Sequence, residues 1–289
     1  MNGSSALAPE PSYLRYAPSA ALREIAEVVW IQECGPVPGC EPTTIVPTGR
    51  VELIFHYGDP YVQHSDGDIG LTPRCHVVGQ QKKPLVVAAT GSTGIAIVRF
   101  TPWGAYALFG DALAQINDQL VDLELLWERQ PLVDLLDKLH AAPDQQARAS
   151  IVDDFVVSRL MDARLDRLSM ASINCINASW GRRRVAEVAR QFELGRRQFT
   201  RRFTRSIGAS PKQMSRVLRA QKAIACVRLG EDVHDIIARC GYADQSHFVH
   251  EVASHCNRSP SELARLAASN AHRFFNSADP AEFCGTTYL

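Results

Sequence analysis

The sequence predicts an α+β chain: a β-rich, barrel-like N-terminal domain with flanking helices, then an all-α domain with two helix–turn–helix units joined by a linker helix. Three observations carry this. Short β-prone runs broken by Pro and Gly fill the chain from Tyr13 to Phe100. The apolar period turns helical from Pro102 onward. Between Val185 and Leu266, two short helix–turn–helix patterns flank one longer amphipathic helix.

In chain order, residues 1–12 read as disordered. The candidate strands are Val28–Gln32, Thr43–Val46, Val51–Tyr57, His76–Val78, Leu85–Ala89 and Ile95–Phe100, with Ala20–Trp30 open to a helical reading. Pro47-Thr48-Gly49 marks a hairpin and Gly58-Asp59-Pro60 a strand end, while His64–Pro73, with Gly67 and Gly70, reads as a mobile loop. Many short strands with turn signals point to a small barrel or folded-over sheet. Helical periods follow over Ala105–Leu113, Leu123–His140 (interrupted by Pro131) and Gln146–Leu165. The resulting division is 13–145 for a sensing or dimerising domain, 146–168 for a connector helix, 169–268 for the double helix–turn–helix, and 269–289 for a tail of no assigned role.

In the first unit, Val185, Val188 and Ala189 share a face, Gly195 suits a turn or N-cap, and Phe199, Phe203 and Ile207 recur at i, i+4, i+8 before the stop at Gly208. The second unit repeats the plan. Val233, Ile236 and Ile237 face inward, Cys240-Gly241-Tyr242 turns, Phe248, Val252 and Cys256 point in, and Asn257 suits a left-handed cap. Between them Met214, Val217, Leu218, Ile224 and Ala225 stripe a helix of about eighteen residues, which at ~1.5 Å per residue spans roughly 27 Å. With side chains, that suits two reading heads about one DNA turn (~34 Å) apart.

These residues carry a family resemblance. Arg201-x-Phe203-x4-Gly208-x-Ser210-Pro211, Arg219-x2-Lys222-Ala223, Ile237-Ala238-x2-Gly241-Tyr242-x-Asp244-Gln245-Ser246-His247-Phe248 and Ser259-Pro260 resemble the AraC/XylS-type bacterial regulators over about a hundred residues. The departures are Glu193 where Gly is common, Gly195 for Ser, His250 and Val252 for Arg and Phe, and Asn257 for Gly. The front half resembles an uncharacterised domain fused to a subgroup of that family, through Tyr16-x-Pro18, Trp30, Val46-Pro47-x-Gly49-Arg50, Gly79 and Arg99-Phe100-x-Pro102-x-Gly104-Ala105. The resemblance implies a transcription regulator, activating through RNA polymerase more than repressing.

Charge agrees. The net charge is zero, yet residues 181–229 hold 14 Lys and Arg against 2 Asp and Glu, so an acidic remainder carries one basic block, as polyanion binding requires. No run approaches the roughly 18 apolar residues of a membrane span, and the N-terminus lacks a signal-peptide pattern, so a cytoplasmic location is expected. Eight cysteines without a CxxC pair suit a reducing compartment. No GxSxG, HExxH, Walker loop or dinucleotide fingerprint is present, and neither turnover nor a cofactor is expected.

In the first reading helix Arg197, Thr200 and Arg201 are the base-edge candidates, with Arg196 and Arg205 on phosphates. Gln245, Ser246 and His250 are their counterparts in the second helix, with His247 on phosphate, although Asp244 and His247 also suit purely local capping. Arg182, Arg183 and Arg184 would grip the backbone of double-stranded DNA. For a small-molecule effector the candidates are the aromatic Trp30, Phe55, Tyr57, Phe100 and Trp103 with Arg50, Arg99 and His56, each of which core packing would equally explain. Two alternatives stand beside effector sensing: an N-terminal domain that only forms a homodimer, and a thiol- or metal-responsive site at Cys34, Cys40, Cys75 and His76, whose spacing is weak for any metal.

Overall fold

The computed structural model describes residues 12–35, 42–65, 68–161 and 165–268. Its strands are β1 (Ser12–Tyr16), β2 (Ala26–Cys34), β3 (Thr43–Ile45), β4 (Glu52–His56), β5 (Tyr61–Ser65), β6 (Asp68–Leu71), β7 (Cys75–Val78), β8 (Leu85–Ala89), β9 (Thr93–Phe100) and β10 (Leu120–Asp122). They form a six-stranded sheet, β1-β2-β9-β4-β7-β10, and a four-stranded sheet, β3-β8-β5-β6, with antiparallel pairing throughout. The two sheets do not close on each other, so the barrel-like expectation takes the form of two open sheets.

The helices are α1 (Tyr106–Phe109), α2 (Leu113–Ile116), α3 (Arg129–Ala141), α4 (Gln145–Ser158), α5 (Arg167–Ala178), α6 (Val185–Gln191), α7 (Arg196–Ile207), α8 (Pro211–Arg228), α9 (Val233–Cys240), α10 (Gln245–Cys256) and α11 (Pro260–Ala268). Pro131 does not interrupt a helix. It sits in the first turn of α3, where backbone N–H groups have no intrahelical acceptor in any case. Asp144 caps α4, accepting from Ala147 N–H at 2.8 Å, and the helix buries Val152 and Val156 against the sheet while Phe155 meets Phe55 edge-on.

Two further expectations are corrected and one open reading is settled. His64–Pro73 is not a loop: β5 and β6 pair as a hairpin, with Val62 opposite Leu71 and Ser65 opposite Asp68. All four residues of β6 are exposed, and its short alternation of Ile69 and Leu71 with Asp68 and Gly70 is masked by the glycines that read as loop. The open reading of Ala20–Trp30 resolves at Ala26, where a helical turn hydrogen-bonded from Ser19 and Leu22 gives way to β2. The helix expected over Ala105–Leu113 is broken by Gly110, whose φ of 50° divides it into α1 and α2 around a 3-10 turn. The expected disordered start lies outside the described residues apart from Ser12, which opens β1, and the tail lies outside them entirely.

The apolar cores cross the division between the two halves. One lies between the six-stranded sheet and α1–α4. A second joins α5, α6, α7 and the start of α8, and takes Trp103 from the front half. A third joins the end of α8 to α9, α10 and α11, and takes Val46.

Candidate nucleic-acid interface

The first reading unit is α6, a turn and α7. Glu193 takes a left-handed φ of 56° in the turn, the conformation in which glycine is easiest. Gly195 is the N-cap of α7, and Gly208 ends it at φ 82°. Phe199, Phe203 and Ile207 are wholly buried, as their spacing requires. That leaves Arg196, Arg197 and Arg201 exposed and Thr200 half-buried on the outer side. None of these three arginines makes an ion pair among the described residues, so their forks are available to an outside acceptor.

The other cations of this unit are engaged. Arg205 donates to Asp111, on the turn before α2, through Nε at 2.5 Å and Nη2 at 3.0 Å, and the pairing holds the Asp111 carboxyl below the usual range. Arg202 makes a similar fork on Asp166, the N-cap of α5. Arg183 donates through Nη1 to Gln191 Oε1 at 2.6 Å and lies 2.7 Å from Cys175 Sγ, so it ties α6 to α5. Arg182 and Arg184 are exposed.

In the second unit Gly241 turns at φ 72° and Asp244 caps α10 by accepting from His247 N–H at 2.8 Å. Gln245, Ser246 and His250 are exposed, whereas His247 is held inside its own unit. Its Nδ1 accepts from Ala243 N–H at 3.3 Å, and its ring stands edge-on to Tyr242. Asn257 adopts the left-handed cap that its type and position suggested. Both units hang on α8, which is unbroken over its eighteen residues and buries Met214, Val217, Leu218, Ile224 and Ala225. Arg219 locks α8 to α10 with two hydrogen bonds to Glu251, at 2.7 and 2.6 Å. Burial alone would raise the Glu251 pKa, but these bonds outweigh it and the carboxylate is held low.

The front half grips this frame. Gln80 donates to the Ile207 carbonyl at 2.7 Å, Gln213 to the Gln80 carbonyl at 3.2 Å, and Gln221 to the Pro47 carbonyl at 2.9 Å. A shallow cleft of about 760 Å³ remains between Asp111, Ala114 and the outer face of α7. These contacts join residues far apart in sequence, and no local pattern marked Asp111, Gln80 or Gln221 in advance.

The effector candidates do not converge. Phe55, Tyr57 and Phe100 belong to the core beneath α4, while Trp30 and Arg99 lie on the opposite face of the six-stranded sheet. There Arg99 stacks 4.0 Å from the Trp30 ring and donates to Glu52 at 2.7 Å. His56 shares that face, near Tyr61 and His76. Arg50 pairs with Glu27 at 2.7 Å, and Trp103 is built into the core of the first reading unit. Cys40 lies outside the described residues. Cys75 is buried and its thiol pushed up to about 12 by burial, so it is neither a ready thiolate nor a ready ligand. Among the described residues no group of three His, Cys, Asp or Glu could hold a metal.

Two family models match the chain. Residues 188–266 match a helix–turn–helix domain, which covers both reading units and α8. This C-terminal part of the chain is an AraC-type helix–turn–helix domain. Residues 14–122 match a domain of unknown function, and no curated protein matches the chain. Among solved structures, ToxT from Vibrio cholerae is similar at 12% identity and a TM-score of 0.44, over 82% of this chain and 97% of that one. The C-terminal domain of AraT, a response regulator from Geobacillus stearothermophilus, is similar at 20% identity and a TM-score of 0.34, over 40% and 95%. The AraC-like transcriptional activator CuxR is similar at 12% identity and a TM-score of 0.31, over 81% of each chain. The function class that goes with the helix–turn–helix domain is DNA-binding transcription regulation. No helix of the described residues is long and apolar enough to cross a membrane.

Proposed function

We propose that this protein is a cytoplasmic, sequence-specific transcription activator that reads duplex DNA with α7 and α10 and takes a small-molecule or stress signal at its front half. The observation that carries the reading is the outer face of α7, where Arg196, Arg197 and Arg201 are exposed beside Thr200 and make no ion pair among the described residues. An arginine fork needs a planar pair of acceptors, and guanine O6 and N7 supply it in the major groove. The second head would contribute Gln245, Ser246 and His250, with a smaller electrostatic share because α10 has no arginine of its own.

The front half holds the end of α7 through Asp111 and Gln80, so a signal that loosens this grip shifts the population toward a form with all of α7 open to DNA. In that form the protein would recruit RNA polymerase, as a monomer or as a homodimer on paired half-sites. Selection of binding sites from a random duplex library tests the core of this reading. A recovered motif with two elements about one helical turn apart supports it, whereas recovery of no motif rejects sequence-specific reading.

A further inference from the structure

A second cleft, of about 270 Å³, lies where three parts of the molecule meet: the loop after β7, the first turn of α8, and the last turns of α10. Its wall includes Lys82 from the front half, Ser210, Lys212 and Arg216 from α8, and Ser254 and His255 from α10. Lys212 and Arg216 are exposed on the first turns of an eighteen-residue helix, whose N-terminus adds the positive end of its dipole. Lys82 faces Asp118 at 3.0 Å. The acid in the wall, Glu251, accepts both of Arg219's short hydrogen bonds, and Arg216 Nε lies 3.6 Å from the same carboxylate, a longer pairing at an exposed side chain.

His255 is the decisive residue. It is 5% exposed, and its Nε2 has no hydrogen-bond partner. The Pro47 carbonyl takes the hydrogen bond of the other ring nitrogen, and burial keeps the ring neutral. The proton therefore sits on the Pro47 side, and Nε2 of this cleft-lining residue is left as a buried lone-pair acceptor. A buried acceptor of this kind calls for a donor, while the surrounding cations call for an anion.

We infer that this cleft binds a small oxyanion that also carries an O–H, such as hydrogen phosphate or a hydroxycarboxylate. The anionic oxygens would meet Lys82, Lys212 and Arg216, and the hydroxyl would donate to His255 Nε2. The volume is below the ~300–1,000 Å³ of sites for drug-sized ligands, which selects a compact anion. Such a ligand touches the front half, the linker helix and the second reading unit together, so it would tie them in the arrangement described. In regulation, this names the effector's chemical class and rests on the proposed function; the binding itself does not.

Calorimetric titration of the full-length protein with inorganic phosphate at pH 7 and constant ionic strength, without DNA, tests the site. Saturable binding is expected, at least tenfold tighter than for sulfate, which has the same shape but no proton at this pH. Lys212→Gln and Arg216→Gln change exposed side chains, and each should weaken phosphate at least tenfold with the thermal unfolding midpoint unchanged. Absence of saturation, equal binding of sulfate, or indifference to both substitutions would overturn the proposal. The rival source of phosphate is the DNA backbone. If the variants bind phosphate like the wild type but lower the salt slope for duplex binding by about one, the cleft is a backbone contact and the free-anion site is rejected.

Discussion

Gln80, on the loop after β7, donates from its side-chain amide to the carbonyl of Ile207 at 2.7 Å, and so closes the last turn of the first reading helix from the other half of the molecule. Both groups are buried. A helix terminus leaves carbonyls without intrahelical donors, and here a residue 127 positions away supplies one. Replacing Gln80 with Ala should strand the Ile207 carbonyl and lower stability by about 1–3 kcal/mol. Urea unfolding followed by circular dichroism measures this, and an unchanged midpoint would mean that water replaces the amide without cost.

The Asp111–Arg205 pair leads to a different expectation. Both side chains are more than half exposed, so the pair should add little to stability. Its effect should fall on DNA. Asp111→Asn frees the Arg205 guanidinium and removes a negative charge from beside α7. Affinity for any duplex should rise, and the slope of log K against log salt should steepen by about one. Fluorescence anisotropy at several KCl concentrations reads both quantities, and an unchanged slope would show that Arg205 gains no phosphate when released.

Arg197→Ala and Arg201→Ala should each relax preference at one base position, by roughly 1–3 kcal/mol of discrimination. Arg184→Ala, at an exposed site before α6, should instead weaken all sequences alike. Arg183→Ala should mainly cost stability, because its guanidinium already bridges Gln191 and Cys175. Parallel binding to the selected site and to single-base variants separates these patterns. Equal loss on every sequence for the first two would remove them from base reading.

Acid should destabilise the fold through buried histidines. Desolvation lowers His56 to about 3, His76 to about 4 and His255 to about 4, with the neighbouring His76 also opposing protonation of His56. Each folded value lies below the unfolded one near 6.5, so the unfolded chain binds more protons at mild acidity. The stabilising contribution is therefore complete above about pH 6.5 and is lost as pH falls toward 4, by up to about 1.4 kcal/mol per unit for each group. Unfolding midpoints at pH 7, 6 and 5 should fall in order, and His255→Asn should flatten that trend. A midpoint constant from pH 7 to 5 would contradict the neutral buried rings.

Much of the reading machinery was legible because its signals are local. Phe199, Phe203 and Ile207 repeat at helical spacing, Gly208 and Asn257 have the residue types that left-handed caps favour, and the stripe on α8 fixes its buried side. The outer residues of α7 follow from the same phase. The front half was harder to read. β6 is exposed on both faces, so the alternation of Ile69 and Leu71 marks no buried side, and β10 is only three residues long. Alternation alone sets Arg99 against Phe100 and His56 against Tyr57, whereas the meeting of Arg99 with Trp30 and Glu52 depends on strand pairing, which single-sequence patterns do not give. Asp111, Gln80 and Gln221 owe their importance wholly to partners distant in sequence, and His255, near the end of a helix in an apolar phase, looks like any packed ring until its empty Nε2 is seen.

Trp103 has one further implication. It sits 7% exposed among Ile173, Phe199 and Phe203, and its indole N–H donates to the Glu24 carbonyl of the front half at 2.9 Å. The C-terminal half thus borrows part of its interior, and a fragment cut away before α5 would open a hole the width of an indole beneath its own recognition helix. Experiments on that fragment alone would describe a weakened relic, and the two halves are better regarded as one packed body than as interchangeable parts.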